Sequence, residues 1–123
     1  MSRAARSVNL FGMYLQLLGT TLLVVPNMLL GLFALPPTSE VWIRVVGMLC
    51  VLLGTYYRVS AGAESRPFFQ ATVMLRASVP LFFVTFVLAG WAPSPLVLFG
   101  LVDAAGALWT WTSLRRDGAA ALG

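Results

Sequence analysis

The sequence has no histidine, no lysine, a single cysteine, Cys50, and only 10% charged residues. Each shortage removes a class of function. Histidine is the commonest metal ligand and the usual general base near neutral pH. Its absence argues against a haem, zinc or copper centre, and neither a metal nor a cofactor is expected. One cysteine cannot close an intramolecular disulfide or run the two-thiol chemistry of a membrane oxidase. Cys50 lies inside an apolar run and reads as a small packing residue. All positive charge, and with it the net +4, comes from arginines, most of which flank apolar runs. That is a topology signal rather than a nucleic-acid signal, and no nucleic-acid partner is expected.

What is there is apolar. Hydrophobic residues make up 59% of the 123 positions and the mean hydropathy is +0.89, whereas a soluble domain carries about 25% charged residues. The chain therefore reads as a single transmembrane domain over residues 1–123, all-α. Four apolar runs, at about residues 10–35, 41–57, 68–88 and 96–114, each suit a hydrocarbon layer about 30 Å thick. The expected architecture is an integral membrane up-down four-helix bundle. The breaks between runs hold Pro36-Pro37, the stretch Arg58 to Pro67, and Gly90 to Pro95, residue types that interrupt helices. Pro37-Thr38-Ser39-Glu40 reads as a helix start, hydroxyl caps followed by an acid. Ser65-Arg66-Pro67 reads as another, with proline in the first turn. The first run follows a basic start, but it exceeds the about 7–15 apolar residues of a signal peptide, and no small-x-small site follows it. It is expected to be a retained helix.

Arg3 and Arg6 precede the first run, Arg58 and Arg66 flank the middle connector, and Arg115 and Arg116 follow the last run. The other two connectors carry no basic residue. By the positive-inside rule, both termini and the middle connector face the cytoplasm. Trp42, Trp91, Trp111, Tyr56 and Tyr57 fall near the expected interfaces. The setting this implies is a multi-pass membrane protein with membrane lipids as neighbours. A homodimer or another membrane protein as partner stays open.

Each run carries small or polar residues at helical spacing. The first has Gly12, Gln16, Gly19, Thr20 and Asn27; the second has Arg44, Gly47, Gly54 and Arg58. The third has Thr72, Arg76 and Pro80; the fourth has Gly100, Asp103, Ala107 and Thr110. The glycines read as packing seams. The charged members need more, because an ionised carboxylate in hydrocarbon costs several kcal/mol unless paired, protonated or hydrated. Counting about 1.5 Å rise per residue puts Asp103, Asn27 and Arg44 in one layer near the outer leaflet. Glu40 lies four residues before Arg44, the favourable order for an ion pair. Asn27, Glu40, Arg44 and Asp103 are thus the first candidate cluster, a ligand pocket or a buried ion pair. A second layer, toward the cytoplasm, comprises Gln16, Tyr56, Tyr57, Glu64 and Arg76. Arg76 has no acid at its own depth; it is expected to meet Glu64 from below, to snorkel, or to bind an anionic headgroup. Pro26 and Pro80 interrupt the outer halves of two runs.

The segments Pro26-Asn27, Pro37-Thr38-Ser39-Glu40-Val41-Trp42-Ile43-Arg44, Gly54-Thr55-Tyr56-Tyr57, Arg66-Pro67-Phe68-Phe69 and Arg76 together resemble a group of small bacterial inner-membrane proteins near the DoxX-like and BphX-like families. That resemblance implies a four-helix bundle and no agreed activity, so it transfers no catalytic residue. Two functions are weighed. The first is a non-catalytic membrane protein with an accessory or assembly role, or one that binds a lipid or small ligand. The second is a small proton-coupled transporter using Asp103. No nucleophile–base pair stands out, so catalysis is not expected.

Overall fold

Ser2 begins the fold by capping its first helix. Its Oγ accepts from the Ala5 N–H at 3.0 Å, occupying one of the amides that a helix start leaves unpaired. The computed structural model describes residues 1–122, and the order of elements is α1 (Arg3–Val24), α2 (Pro26–Leu32), α3 (Trp42–Gly62), α4 (Arg66–Leu88) and α5 (Leu96–Leu122). Four of these helices are long and apolar enough to cross a membrane.

The first run, expected as one helix over 10–35, is two helices with an earlier start. Pro26 has no N–H for the Leu22 carbonyl, and its ring crowds that oxygen. The chain leaves helical geometry at Val25, with φ −134° and ψ 64°. Arg44 of α3 meets the broken end. Its Nη1 donates to the Leu23 carbonyl and, at 3.3 Å, to that of Val24, so a cation sits at the negative pole of α1. The expected cap at Pro37-Thr38-Ser39-Glu40 is also displaced. Thr38 Oγ1 accepts from the Glu40 N–H at 3.1 Å in a turn before the helix, and α3 starts at Trp42 with no side-chain cap. Ser65 does occupy the N-cap position of α4, with proline in the first turn. The second and fourth runs extend beyond their expected ends, to Gly62 and Leu122.

Two antiparallel helix pairs make the bundle. In the first, α1 lies against α3 along a glycine seam. A Cβ added at Gly19 would stand 2.5 Å from the Gly47 carbonyl, and one at Gly54 would stand 2.5 Å from that of Gly12. Only glycine lets two backbones come so close, and this is how membrane helices gain packing contact. In the second pair, α5 lies against α4 at Pro80, and a Cβ at Gly100 would meet Pro80 Cα at 2.8 Å. Contact of α1 with α5 joins the pairs, whereas the backbones of α3 and α4 meet at no more than isolated points. The bundle therefore has a slit along one side. It is bridged near the α3–α4 connector by Tyr57, whose hydroxyl bonds Thr72 at 2.6 Å and whose ring meets Phe68 edge-on.

The termini end is the tightest part. Ala4, Ala5, Val8, Phe11, Ala61 and Phe69 form its core. Two acids from other elements hold the start of α1. Glu64 accepts from the Ser2 N–H and the Ser2 hydroxyl, both at 2.7 Å. Asp117 accepts from the Ala4 N–H at 2.9 Å. Carboxylates at a helix N-terminus complement its dipole. The bonds from Ser2, backbone first, hold the Glu64 carboxyl below the usual carboxylate range. Glu64 has a φ of 52°, a left-handed backbone that costs a non-glycine residue about 1–2 kcal/mol. Its double grip on Ser2 accounts for that conformation. Farther along the helices large apolar side chains point outward; Leu17 is 71% exposed and Met74 76%.

Candidate functional site

The buried face of α4 carries Phe69, Thr72 and Arg76 at spacings of three and four. Arg76 is only 2% exposed. Its Nε donates to the Thr72 carbonyl at 3.3 Å and its Nη2 to the Thr110 hydroxyl at 2.7 Å. The same hydroxyl bonds Ser7 at 2.8 Å, and Ser7 donates to the Ala4 carbonyl at 2.7 Å. A polar thread thus crosses the interior from α4 through α5 to α1. The guanidinium carbon stands 4.6 Å from the centre of the Phe11 ring and 5.6 Å from that of Tyr57, and such faces attract cations. Gly106 makes room for the group, since a Cβ there would lie 3.0 Å from Nη1. Nη1 itself is buried without a hydrogen-bond partner among the described residues. Pro80, one turn on, offers no N–H to the Arg76 carbonyl.

Asp103 precedes Gly106 by three residues, on the same face of α5, and is half-buried. It lines two cavities. One, of about 300 Å³, lies on the termini side between α3 and α4, walled by Phe11, Leu15, Leu53, Tyr57, Phe68, Leu75 and Arg76 among others. The other, of about 220 Å³, lies on the far side among Tyr14, Leu22, Leu30, Cys50, Phe83 and Phe99. Leu15 and Asp103 border both. The walls are otherwise mostly aliphatic and aromatic, the usual make-up of a ligand pocket with a few polar anchors. Leu53 and Leu75 are 45% and 67% exposed, so the cavity that holds Arg76 opens sideways at the slit.

The first expected cluster divides. Asn27, Glu40 and Arg44 line one groove of about 480 Å³ at the end away from the termini, and Asp103 does not join them. Asn27 accepts from the Thr38 N–H at 2.9 Å and ties the loop after α2 to its helix. Arg44 makes no ion pair with Glu40 or Asp103 because the carbonyls freed by the Pro26 break take its donors. The cation that shares a cavity with Asp103 is Arg76.

The second layer divides as well. Tyr57 and Arg76 come together as described. Gln16 belongs to the opposite face of α1, where its Oε1 accepts from Arg58 at 3.0 Å and its Nε2 donates to Thr55 at 3.0 Å. Tyr56 is 66% exposed. Glu64 is engaged with Ser2 and does not reach Arg76. Arg76 does not snorkel either; it points inward. Sequence reasoning passed over Ser2, Ser7, Phe11 and Asp117. The small-residue spacing of Ala4, Ser7, Val8 and Phe11 was the available signal for an α1 that begins before the apolar run.

Chemically, the site offers a cation with a free donor and a carboxylate not directly paired with it, inside apolar walls. No group of three or more cysteine, aspartate or glutamate side chains suited to a metal ion occurs among the described residues. No family model, curated protein or solved structure matches the chain.

Proposed function

We propose that this chain is a non-catalytic, multi-pass membrane protein that holds a lipid or small apolar ligand inside its bundle, in an accessory or assembly role. The observation that carries this reading is the pair of apolar cavities meeting at Asp103, one of them open through the slit between α3 and α4. The larger reaches the lower bound of ligand pockets, about 300 Å³. The exposed apolar side chains on the flanks of the bundle support placement in a bilayer, and the arginine distribution supports an orientation with both termini in the cytoplasm. A bacterial inner membrane is the setting that the resemblance to small DoxX-like and BphX-like bundles suggests, and that resemblance brings no activity with it.

Native mass spectrometry of the protein released from nanodiscs tests the reading. A bound lipid or small molecule, lost when Ala71 on the cavity wall is changed to Phe, is the expected result. A protein that emerges bare and is unchanged by the substitution would refute it. Reporter fusions to each terminus test the orientation.

A second reading, a small proton-coupled transporter, is favoured by one feature: Asp103 borders both cavities and forms no ion pair among the described residues. It requires proton release on ligand addition in weakly buffered detergent, abolished by Asp103→Asn.

A further inference from the structure

We infer that Arg76 is an oxyanion-binding residue, and that the ligand of the bundle is an amphiphile whose head offers a carboxylate or phosphate oxygen to Arg76 and a hydrogen-bond donor to Asp103. This rests on the ligand-binding reading above.

Three features support it. First, the guanidinium is held by Thr72, by Thr110 and by the Phe11 ring, and one of its donors is left unmatched. Nη1 has no partner among the described residues although Arg76 is 98% buried, being 2% exposed. In an apolar interior such a donor costs about 1–3 kcal/mol when left alone, and a planar guanidinium matches oxyanions better than any other side chain. Second, Arg76 forms part of a cavity wall. Nη1 lies beside the bare Gly106, and Arg76 lines the cavity of about 300 Å³. Third, Asp103 lines the same cavity one turn away yet stands beyond ion-pair distance. A cation and an anion that share a chamber without touching suit a head that is anionic at one atom and a donor at the next. A phosphate monoester, with P–O⁻ and P–OH, is such a head. The apolar remainder of the ligand fits the second cavity or leaves by the slit.

Binding to the purified full chain in phosphatidylcholine nanodiscs tests this with three probes: dodecyl phosphate, dodecanol and inorganic phosphate. Dodecyl phosphate is expected to bind about tenfold or more tighter than dodecanol, and Arg76→Gln is expected to erase that difference. If the glutamine variant does not fold, Arg76→Lys keeps the charge without the planar fork and is expected to narrow the difference. Ala71→Phe, which blocks the wall and spares the cation, is expected to weaken both dodecyl probes alike. Equal binding of dodecyl phosphate and dodecanol would overturn the oxyanion inference and leave the ligand-binding reading standing. Failure of both to bind would overturn both. Arg76-dependent binding of inorganic phosphate as tight as that of dodecyl phosphate supports the oxyanion site and overturns the amphiphile as its source.

Discussion

Arg76 and Thr110 meet across 2.7 Å on neighbouring helices, 34 residues apart in the chain. That bond is the centre of the polar thread that ends on the Ala4 carbonyl. Thr110→Val keeps the shape and removes the acceptor, leaving a charged donor buried without it. A loss of about 1–3 kcal/mol is expected. Ser7→Ala leaves the arginine bond in place and should cost less, about 1 kcal/mol. Equilibrium unfolding in mixed micelles measures both. Equal losses would mean that the thread does not pass through Thr110 as described.

The glycine seam makes a sharper prediction. A Cβ at Gly19 or Gly47 would meet the facing carbonyl within 2.5–2.7 Å, whereas Gly31 and Gly62 have nothing within 4 Å. Backbone cannot yield as a flexible side chain can, so Gly19→Ala and Gly47→Ala should each destabilise by about 1–3 kcal/mol. Gly31→Ala and Gly62→Ala should change stability by less than about 0.5 kcal/mol. The same unfolding measurement separates the two pairs.

Arg44 and Glu40 distinguish a helix cap from an ion pair. Arg44→Gln withdraws the cation from the carbonyls of Leu23 and Val24, and about 1.5–3 kcal/mol is the expected loss for bonds to a charged group. Glu40 is exposed and its side chain makes no bond to Arg44, so Glu40→Gln should be within about 0.5 kcal/mol of the parent. Comparable losses in the two variants would restore the ion pair that the spacing suggested. Amide exchange at Val24 and Val25 gives an independent reading of the break.

The termini end should loosen in acid. The carboxyl of Glu64 is held below its ordinary value of 4.5 by the bonds from Ser2. A lowered folded value means that the grip contributes in full above the unfolded value and is lost as pH falls through the folded one. The Ser2 amide should therefore lose protection relative to its intrinsic exchange rate, and its nitrogen shift should move, as pH drops below 4.5. Glu64→Gln should remove that response. Solvent screening keeps the effect on global stability small. A Ser2 signal that stays flat to low pH would refute the contact.

Much of this fold is legible in the amino acids. The four apolar runs become the four long helices, and Gly12, Gly19, Gly47 and Gly54, repeating every seven residues on two runs, become the facing pairs of one seam. What escapes is which polar groups meet. Counting depth from the start of each run placed Asp103 with Arg44 and set Arg76 in a different layer. Two facts defeat that count. The Pro26 break creates carbonyls that claim Arg44, a demand visible only when the chain leaves the helix at Val25. The close α1–α5 contact and the loose α3–α4 contact set Arg76 and Asp103 along one chamber, and no single-run periodicity reports which helices are neighbours. Glu64 escapes similarly, since its partner is the cap of a helix that begins before the hydrophobic stretch.

The slit between α3 and α4 determines how the proposed chamber would be filled. A guest passing through that gap would never need to enter water; it would arrive by diffusion in the plane of the leaflet. Occupancy would then follow the mole fraction of the guest among surrounding lipids, so a modest intrinsic affinity would suffice for a molecule that partitions strongly.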